Sequence, residues 1–485
     1  MNTKLIQNII LLLTLFSSTL NYAQNKSEKP NFLFILVDDL GYMDIGANNP
    51  NTFYETPNID NLAKRGVLFT NGYAAAPVCS PTRASILTGK YPARNDNTAH
   101  FGAPQPYEKD RIKNKPLLPA QYIDYMDLNE ITIAEALLEG GYKTMFAGKW
   151  HLGGEGKWPE DQGFEINKGG WTRGGPYGGE KYFSPYGNPS LKDGKDGEHL
   201  PDRLANETVL FIKDSSEEPF FAYLSFYSVH TPLIGRPDLV KKYEKKREQL
   251  EKGQEIWGKD GNSKLRLVQE HAVYAAMIEA MDQAVGKVLK SLKELNLDKN
   301  TVVIFMSDNG GMSTSHGHPT SNFPLRAGKG WLYEGGIREP LIISWPSKFA
   351  SRTDHTPVTS TDFYPTILDL AGLPIKPKQH VDGSSLASLL KENKKIKRKA
   401  LYWHYPHWGN QGGTPGTVIR NGDYKLIKYY TKRPTELFNL KKDISETKNL
   451  VDSKKGKARK MEKMLDQWLQ ETDAKFPSPN PNYKE

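Results

Sequence analysis

Short, continuous apolar runs recur along the chain and alternate with segments whose apolar residues have helical spacing. A strand that is apolar at every position must be buried on both faces, as in a parallel sheet covered by helices. We predict such strands at residues 32–37, 144–147, 220–226, 302–306 and 341–344, and helices between them at residues 59–65, 131–138, 204–212 and 268–292. The alternation predicts an α/β fold with a large, mostly parallel, doubly wound sheet flanked by helices.

The pattern changes beyond about residue 390. We predict short strands at residues 401–405, 424–429 and 436–439, followed by a helix at residues 458–472. We therefore predict a large domain over residues 24–390 and a small C-terminal subdomain over residues 391–485, with an antiparallel sheet and a packed helix. Residues 153–197, dense in glycine and aromatics, and residues 232–263, dense in charge, are predicted to be loops that wall a cleft.

The first residues have the features of an export signal. Lys4 supplies the positive start, residues 9–16 the apolar stretch and Asn21-Tyr22-Ala23 a cleavage site, so residues 1–23 are predicted to be a signal peptide. No later segment approaches the roughly 20 apolar residues that a membrane-spanning helix needs. We expect a secreted protein without a membrane span, located in the periplasm or outside the cell.

The chain has a single cysteine, Cys79, and a net charge of +9. One cysteine cannot form an internal disulfide, and a free thiol in an exported protein is prone to oxidation, so Cys79 needs another explanation. The basic balance suits acidic partners such as sulfated glycans, although the charged runs at residues 241–247 and 394–399 also fit plain solvated surface. The composition, with 37% hydrophobic residues, excludes a disordered or fibrous chain.

Two of the predicted strands end in acidic and amide side chains. Asp38 and Asp39 follow residues 32–37, and Asp308 and Asn309 follow residues 302–306. Adjacent buried carboxylates repel one another, so they need a cation or a shared proton. An all-oxygen site favours Ca²⁺ or Mg²⁺ over zinc. Each motif alone could also be a strand-end turn, because Asp, Asn and Gly are common in turns.

Cys79 precedes a helical pattern. Ser80 suits the N-cap, Pro81 the first helical position and Gly89 the end, so Cys79 is predicted at a helix N-terminus, with Arg83 one turn further on. The helix dipole and unpaired N–H groups there favour an anionic nucleophile or a bound sulfate. The alternative is a small buried thiol beside a helix start.

These motifs resemble those of a known family, the type I, formylglycine-dependent sulfatases of the alkaline phosphatase superfamily, and in particular exported bacterial polysaccharide sulfatases. The resemblance covers roughly residues 30–450. Its motifs occur in the family's order: Asp38-Asp39-Leu40-Gly41, Cys79-Ser80-Pro81-Thr82-Arg83 with Leu87-Thr88-Gly89, Gly148-Lys149-Trp150-His151-Leu152-Gly153, Val229-His230-Thr231-Pro232, Asp308-Asn309-Gly310, Gly328-Lys329-Gly330 and residues 333–340.

The resemblance implies a cofactor and a modified residue. Asp38, Asp39, Asp308 and Asn309 would hold one Ca²⁺, with an oxygen at position 79 completing the shell. A formylglycine-generating maturation enzyme would oxidise Cys79 to formylglycine, whose hydrate has two hydroxyls. One hydroxyl would attack sulfur, break the S–O bond and form a covalent sulfo-enzyme, and the second would then eject sulfate.

The resemblance also implies roles for basic residues in the catalytic domain, residues 24–390. Lys149 and Lys329 would neutralise the sulfate oxygens, and Arg83 would orient the formylglycine hydroxyls. His230, with Lys329, would protonate the leaving oxygen, and His151 would assist regeneration of the aldehyde. Without the motif, such lysines would usually be solvated and such histidines structural.

The residues that contact the sugar are less strongly indicated. The candidates are His316, His318, Asn322, Arg326, His404 and His407. Their side chains could bind hydroxyls or a second anion, or they could instead pack in the seam between the domains. We predict a sulfated polysaccharide or oligosaccharide as substrate, and no nucleic acid partner. The alternatives are a phosphoester or phosphonate hydrolase, which serine or threonine at position 79 would favour, and an inactive glycan-binding protein, which loss of a catalytic residue would favour.

Overall fold

The core of the protein is an eight-stranded sheet. The computed structural model describes residues 29–112, 114–251 and 253–484, so the predicted signal peptide lies outside the described residues. In chain order the strands are β1 (Asn31–Val37), β2 (Val67–Phe69), β3 (Lys143–Gly148), β4 (Ile166–Lys168), β5 (Phe220–Ser225), β6 (Thr301–Ser307), β7 (Leu341–Ser344) and β8 (Arg352–Asp354). The sheet contains every strand predicted for it, together with β2, β4 and β8, which at three residues each are too short for an apolar pattern to reveal.

The spatial order of the strands is β8-β2-β7-β6-β1-β5-β3-β4. β1 is central, with Phe32 opposite Val302 of β6 and Phe221 of β5, and all three strands are parallel. The prediction that residues 341–344 form another parallel strand is wrong, because β7 pairs antiparallel with both β6 and β2. An apolar run indicates burial, and it does not determine the direction in which the strand runs.

Helices cover both faces of the sheet. In chain order the helices of the described residues are α1 (Pro57–Arg65), α2 (Cys79–Thr88), α3 (Ile133–Glu139), α4 (Leu200–Asp214), α5 (Pro237–Arg247), α6 (Ala272–Glu294), α7 (Glu334–Ile337), α8 (Phe363–Leu370), α9 (Ala387–Glu392) and α10 (Lys455–Glu471), of which α10 packs on a second sheet. Leu33 and Ile35 of β1 contribute to one core with α1, α4 and α6, and the alternating Phe32 and Phe34 contribute to the other core with α2, α3 and α8. The predicted α/β fold is confirmed.

The prediction that residues 232–263 form a loop is wrong. The segment contains α5 and the first strand of a hairpin formed by Trp257–Asp260 and Ser263–Arg266. Leu239 and Tyr243, one turn apart on α5, are buried in the core. The charged residues that gave this segment its loop-like composition occupy the outer face of the helix, where they remain solvated.

A second sheet of four antiparallel strands lies near the C-terminus: β9 (Leu401–Tyr405), β10 (Gly416–Asn421), β11 (Tyr424–Tyr429) and β12 (Glu436–Asn439). β10 was not among the predicted strands. Helix α10 packs on one face through Met461 and Leu465. The other face packs against Val78 and Trp331, so the small sheet lies beside the segments that carry Cys79 and Lys329.

A buried ionic cluster joins the small sheet to helix α7. The Lys425 Nζ of β11 lies 3.0 Å from Glu334 Oε1 of α7 and 2.8 Å from Glu446 Oε1, and all three side chains are buried. The hydroxyl of Tyr73 also donates to Glu334 Oε2, at 2.7 Å. Such a cluster is sensitive to the loss of one partner, because the remaining charge stays buried without compensation.

Among the described residues, no helix is both long enough and apolar enough to cross a membrane.

Replacing Lys425 with methionine removes the ammonium group that the two buried carboxylates share. We expect a loss of about 3–5 kcal/mol in the free energy of unfolding, measured as a lower urea midpoint, because uncompensated buried charge destabilises by this amount. Lys428→Met on the same strand is the matched control. Its partner Asp466 is half exposed, so the change should stay within about 0.5 kcal/mol. Equal losses in the two variants would show that burial of the cluster has no special effect.

Candidate active site

Acidic side chains and the single cysteine meet at the carboxyl ends of the central strands. Asp38, Asp39, Cys79 and Asp308 each contribute one potential ligand atom, and these atoms all lie within 4.8 Å of one another. All four residues are buried: the three carboxylates are fully buried, and Cys79 is 3% exposed. Carboxyl ends of parallel strands are the usual position of a site in this kind of sheet.

Strand register explains why the carboxylates meet. Val37 of β1 lies opposite Ser307 of β6, so the residues that follow the two strands emerge side by side. The backbone N–H of Asp39, whose φ is 62°, donates to Asp308 Oδ1 at 3.2 Å. Asn309 Nδ2 donates to Asp39 Oδ1 at 2.7 Å, and this leaves Asn309 Oδ1 buried without a hydrogen-bond partner.

Cys79 is the first residue of α2 and not the residue before its cap. The predicted N-cap at Ser80 is wrong by two residues, because Val78 is the N-cap and the Ser80 hydroxyl accepts from the backbone N–H of Phe101 instead. The end of the helix at Gly89 is as predicted, with φ at 69°. Cys79 Sγ lies 3.5 Å from Asp38 Oδ1, and burial raises the pKa of the thiol to about 12.

Three basic side chains pair with the carboxylates. Lys149 Nζ lies 2.6 Å from Asp38 Oδ2, and Lys329 Nζ lies 2.7 Å from Asp39 Oδ1. Arg83 donates through Nε to Asp308 Oδ2 at 2.8 Å. Arg83 Nη1 also donates to the Lys149 carbonyl oxygen at 2.9 Å, so the guanidinium holds Asp308 and the Lys149 backbone in place together.

Burial and charge act on these groups in opposite directions. Burial is the largest influence on Asp38, and it raises the pKa of that carboxyl to about 8 despite Lys149. Burial is also the largest single influence on Asp39 and acts to raise its pKa, but Lys329, His230 and Lys149 together outweigh burial, and the pKa falls below its usual range. Burial acts to lower the pKa of the Lys329 ammonium, but the negative charges around it, that of Asp39 first, raise this pKa. Lys329 therefore stays positively charged.

Two histidines lie beside this cluster with defined ring contacts. His230 Nδ1 lies 2.8 Å from the Thr231 carbonyl oxygen, which can only accept, so Nδ1 carries a proton, and Nε2 lies 3.8 Å from Asp39 Oδ2. By the same argument His151 Nε2 donates to the Phe101 carbonyl oxygen at 3.3 Å, whereas its Nδ1 is buried without a partner. Burial, followed by the charges of Lys329 and Lys149 respectively, lowers the pKa of both rings.

A cavity of about 260 Å³ opens above Cys79. Its lining residues are Val78, Cys79, His100, Phe101, His151, Gly174, Tyr177, His230, His316, Lys329, Asn410 and Gln411. Of these, His100, Tyr177, Asn410 and Gln411 were not predicted from the sequence. They come from loops far apart in the chain, and nothing in the local sequence of any of them indicates a site.

Of the six residues predicted to contact a sugar, the structure brings His316 to this cavity. The Arg326 guanidinium is instead paired with both carboxylate oxygens of Asp260, at 2.7 and 2.8 Å. Asn322 Nδ2 donates to the carbonyl oxygens of Gly311 and Ala327 at 3.0 and 2.9 Å, which fixes the loop after β6.

The other three predicted sugar contacts also lie outside the cavity lining. His404 is buried between the Lys475 carbonyl oxygen and the Tyr430 hydroxyl. His407 lies 2.8 Å from the Thr98 hydroxyl and is buried. His318 packs edge-on against Trp257 of the hairpin. These predictions rested on nearness in the sequence to the metal motif or to the aromatic segment. In the structure each of the three side chains makes the contact with another part of the protein that is given above.

The donor set fits a hard divalent cation. Asp38, Asp39 and Asp308 supply carboxylate oxygens, and the unpartnered Asn309 Oδ1 supplies an amide oxygen in the same buried space. Buried lysines border the same carboxylates, so the site can accept an anion next to the cation. The fold and the site together define a class of protein, the α/β enzymes that act on anionic esters at the carboxyl edge of a doubly wound sheet.

Comparison with known proteins identifies the family. A family model described as Sulfatase matches residues 30–373, and one described as N-sulphoglucosamine sulphohydrolase, C-terminal, matches residues 327–475. The chain is 33% identical over 547 residues to a sulfatase of Formosa agariphila, covering 97% of this chain and 95% of that protein. It is 31% identical over 421 residues to the N-acetylgalactosamine-6-sulfatase of Canis lupus familiaris, covering 81% of this chain and 72% of that protein.

A solved structure gives the same result. The crystal structure of Ps i-CgsB in complex with k-i-k-neocarrahexaose superposes with a TM-score of 0.75 at 29% identity, covering 94% of this chain and 95% of that chain. The chain belongs to the sulfatase family, and it is a sulfuric ester hydrolase. The resemblance in the sequence motifs is therefore confirmed.

The cavity histidines should be neutral at physiological pH. Burial, followed by the charge of Lys329, lowers the pKa of His100 to about 4, because a cationic ring is disfavoured there. We expect the His100 resonance in histidine-labelled NMR spectra, assigned with a His100→Gln variant, to show no titration between about pH 5.5 and 8, where free imidazole titrates. A midpoint near the ordinary value of about 6.5 would contradict the buried environment of this ring.

Proposed function

We propose that this sulfatase removes sulfate from a sulfated polysaccharide or oligosaccharide, with formylglycine made from Cys79 as nucleophile and one Ca²⁺ as cofactor. The observation that carries the proposal is the position of Cys79 at the base of the cavity, among the carboxylates and within the field of Lys149 and Lys329. We further propose export through residues 1–23, a catalytic domain over residues 24–390 and a small subdomain over residues 391–485.

Asp38, Asp39, Asp308 and Asn309 would hold the calcium ion, together with the oxygen at position 79. When bound, the ion stabilises developing negative charge and makes a neighbouring hydroxyl more acidic. Its binding also changes what the lysines can do. Lys149 and Lys329 now neutralise Asp38 and Asp39, and a cation at these carboxylates leaves both ammonium groups available to the oxygens of a sulfate ester.

The proposal for position 79 rests on the chemistry of the thiol. Attack by an unmodified thiol on sulfur would leave a thiosulfate ester with no easy exit, whereas formylglycine supplies, as its hydrate, one hydroxyl for attack and a second for release of sulfate. Arg83 is placed to orient this group indirectly, because it fixes Asp308 and the Lys149 backbone next to it. The oxidation would be carried out by a separate maturation enzyme.

The histidines and Lys329 would move protons. The Lys329 ammonium is charged and lines the cavity, so it can donate to the leaving oxygen, with His230 as its neighbour in that step. His151 has a free Nδ1 and a neutral ring, which suits it to accept a proton from the second hydroxyl during release of sulfate.

Several observations support a carbohydrate substrate. One relative is named for N-acetylgalactosamine 6-sulfate, and Ps i-CgsB was crystallised with k-i-k-neocarrahexaose. The cavity combines aromatic and uncharged polar side chains, including Tyr177 and Asn410, as sugar-binding sites do. The net charge of +9 favours approach of a polyanion.

Mass spectrometry of the protein from its native host tests the nucleophile. We expect the tryptic peptide containing Cys79 to be lighter by about 18 Da, the difference between cysteine and formylglycine in this side-chain oxidation. The Cys79→Ala variant should lose sulfate release by roughly 10³-fold or more, as enzymes do on removal of a nucleophile.

Ser85→Ala is the matched control for the nucleophile, because Ser85 lies on the same helix and bonds to the Lys90 carbonyl oxygen. It should retain both the modification and the activity. An unmodified thiol in active native protein would rule out the formylglycine mechanism. Release of phosphate from aryl phosphates in preference to sulfate from aryl sulfates would favour a phosphoester hydrolase instead.

Calcium binding can be tested without an activity assay. At about 100 times its Kd, Ca²⁺ should stabilise the wild type by about 2.7 kcal/mol, seen as a higher melting temperature that EDTA reverses. Asp308→Asn should abolish this shift, because it removes a ligand charge. Asp282→Asn is the control: Asp282 is also buried, but it accepts from Asn58 and Ile59 away from the site, so the shift should remain. An unchanged shift in Asp308→Asn would exclude this cluster as the calcium site.

A further inference from the structure

Gln411 reaches the cavity from the C-terminal subdomain. It lies in the connection between β9 and β10, and its backbone oxygen accepts from Trp331 Nε1 at 2.9 Å. The side chain is 5% exposed and lies against Gly330, where a Cβ would come within 2.8 Å of Gln411 Oε1. The amide is therefore fixed in the cavity wall next to Lys329.

Gln411 and His316 form a pair with defined hydrogen-bond roles. Gln411 Nε2 lies 3.2 Å from His316 Nε2. An amide nitrogen can only donate, so His316 Nε2 accepts, and the proton of a neutral His316 ring is on Nδ1. Partial burial, followed by the charge of Lys329, lowers the pKa of His316 and favours this neutral form.

Two atoms of the pair have no hydrogen-bond partner among the described residues. Gln411 Oε1 is buried and accepts no hydrogen bond from any described residue. Leaving such an oxygen unpaired costs about 1–3 kcal/mol, so a donor from a bound molecule is expected there. His316 Nδ1–H likewise makes no hydrogen bond to a described residue, and its ring borders the same cavity. The pair thus brings one unpaired acceptor and one unpaired donor to the cavity that Cys79 also lines.

The rest of the described cavity wall carries a single permanent charge. Among the described lining residues, Lys329 is the one permanently charged side chain, and the proposed mechanism assigns it to the sulfate and the leaving oxygen. Arg326, which was predicted as a grip for a second anion, is held by Asp260 outside the lining. A carboxylate or a further sulfate on the same sugar would find no second cation in the described lining, and it would lie close to the unpaired oxygen of Gln411.

We propose that Gln411 and His316 are a specificity-determining pair that binds hydroxyls of the sugar carrying the sulfate, and that this sugar is otherwise uncharged. Gln411 Oε1 accepts a hydroxyl proton and His316 Nδ1–H donates to a hydroxyl oxygen. This inference rests on the proposed function. It narrows the substrate class to neutral hexose or hexosamine monosulfates and excludes uronic acid sulfates.

The test compares turnover of three kinds of probe by the matured wild-type enzyme with Ca²⁺. The probes are 4-methylumbelliferyl sulfate, which has no sugar hydroxyls, the monosulfates of galactose and N-acetylgalactosamine, and uronic acid 2-sulfates. We expect kcat/KM for at least one neutral monosulfate to exceed that for any uronic acid sulfate by about 100-fold or more, because sites with unpaired polar groups discriminate strongly.

Gln411→Ala should lower kcat/KM for the best neutral sugar about tenfold more than for the aryl sulfate, the loss expected for one hydrogen bond to the substrate. Gln162→Ala is the matched control. Gln162 is also a buried glutamine with an unpartnered Oε1, but it lies outside the cavity and donates to the Met126 carbonyl oxygen, so the ratio should not change.

Gln411→Lys adds a cation and should raise the relative rate on uronic acid sulfates.

Three results would overturn the pair. In the first, the wild type prefers uronic acid sulfates. In the second, Gln411→Ala lowers kcat/KM by the same factor for the sugar sulfate and for the aryl sulfate. In the third, the wild type turns over the aryl sulfate and none of the neutral monosulfates. These are distinguishable from failure of the proposed function, in which the matured wild type releases sulfate from none of the probes and the inference fails with it.

Discussion

Charge balance at the carboxyl edge of the sheet is the constraint on which the rest of the structure depends. The register of β1 and β6 places Asp38, Asp39 and Asp308 side by side, where all three are fully buried. Buried carboxylates at such distances are tolerated only with compensating charge, and Lys149, Lys329 and Arg83 supply it. The loops after β3 and β6 must bring the two lysines to fixed positions, and helix α2 must do the same for Arg83, so the chemistry determines the path of the backbone around the sheet.

The second sheet contributes to both stability and the site. Its apolar face packs against Val78 and Trp331, which are neighbours of Cys79 and Lys329 in the chain. Lys425 and Glu446 join it to Glu334 of α7. The small sheet therefore supports the segments that hold the reacting groups, and the same sheet supplies Gln411 to the cavity wall.

The sequence predicted what depends on local pattern or on motifs. Apolar runs located the buried strands, and the polar residues at their ends identified the cluster around Asp38 and Asp308, because parallel strands bring their carboxyl ends together. Strand direction, as in β7, and helix α5, hidden in a charged segment, depend on packing that periodicity does not report. The rest of the cavity wall could not be predicted, since His100 and Gln411 reach the cavity through the tertiary fold alone. Arg326 is the opposite case: it lies close to a motif in the sequence, but in the structure it belongs to an ion pair with Asp260 outside the cavity lining.

The division between the two sheets has a consequence for how relatives of this enzyme can diverge. The carboxylates and cations of the cluster depend on one another, so a change at any one of them disturbs all the others. The connection between β9 and β10, which carries Gln411, is anchored through the Trp331 indole and contributes no charge to that cluster. Substitutions in this connection can therefore accumulate without disturbing the chemistry. New sugar preferences can arise by substitutions in this short connection while the reaction itself is inherited intact.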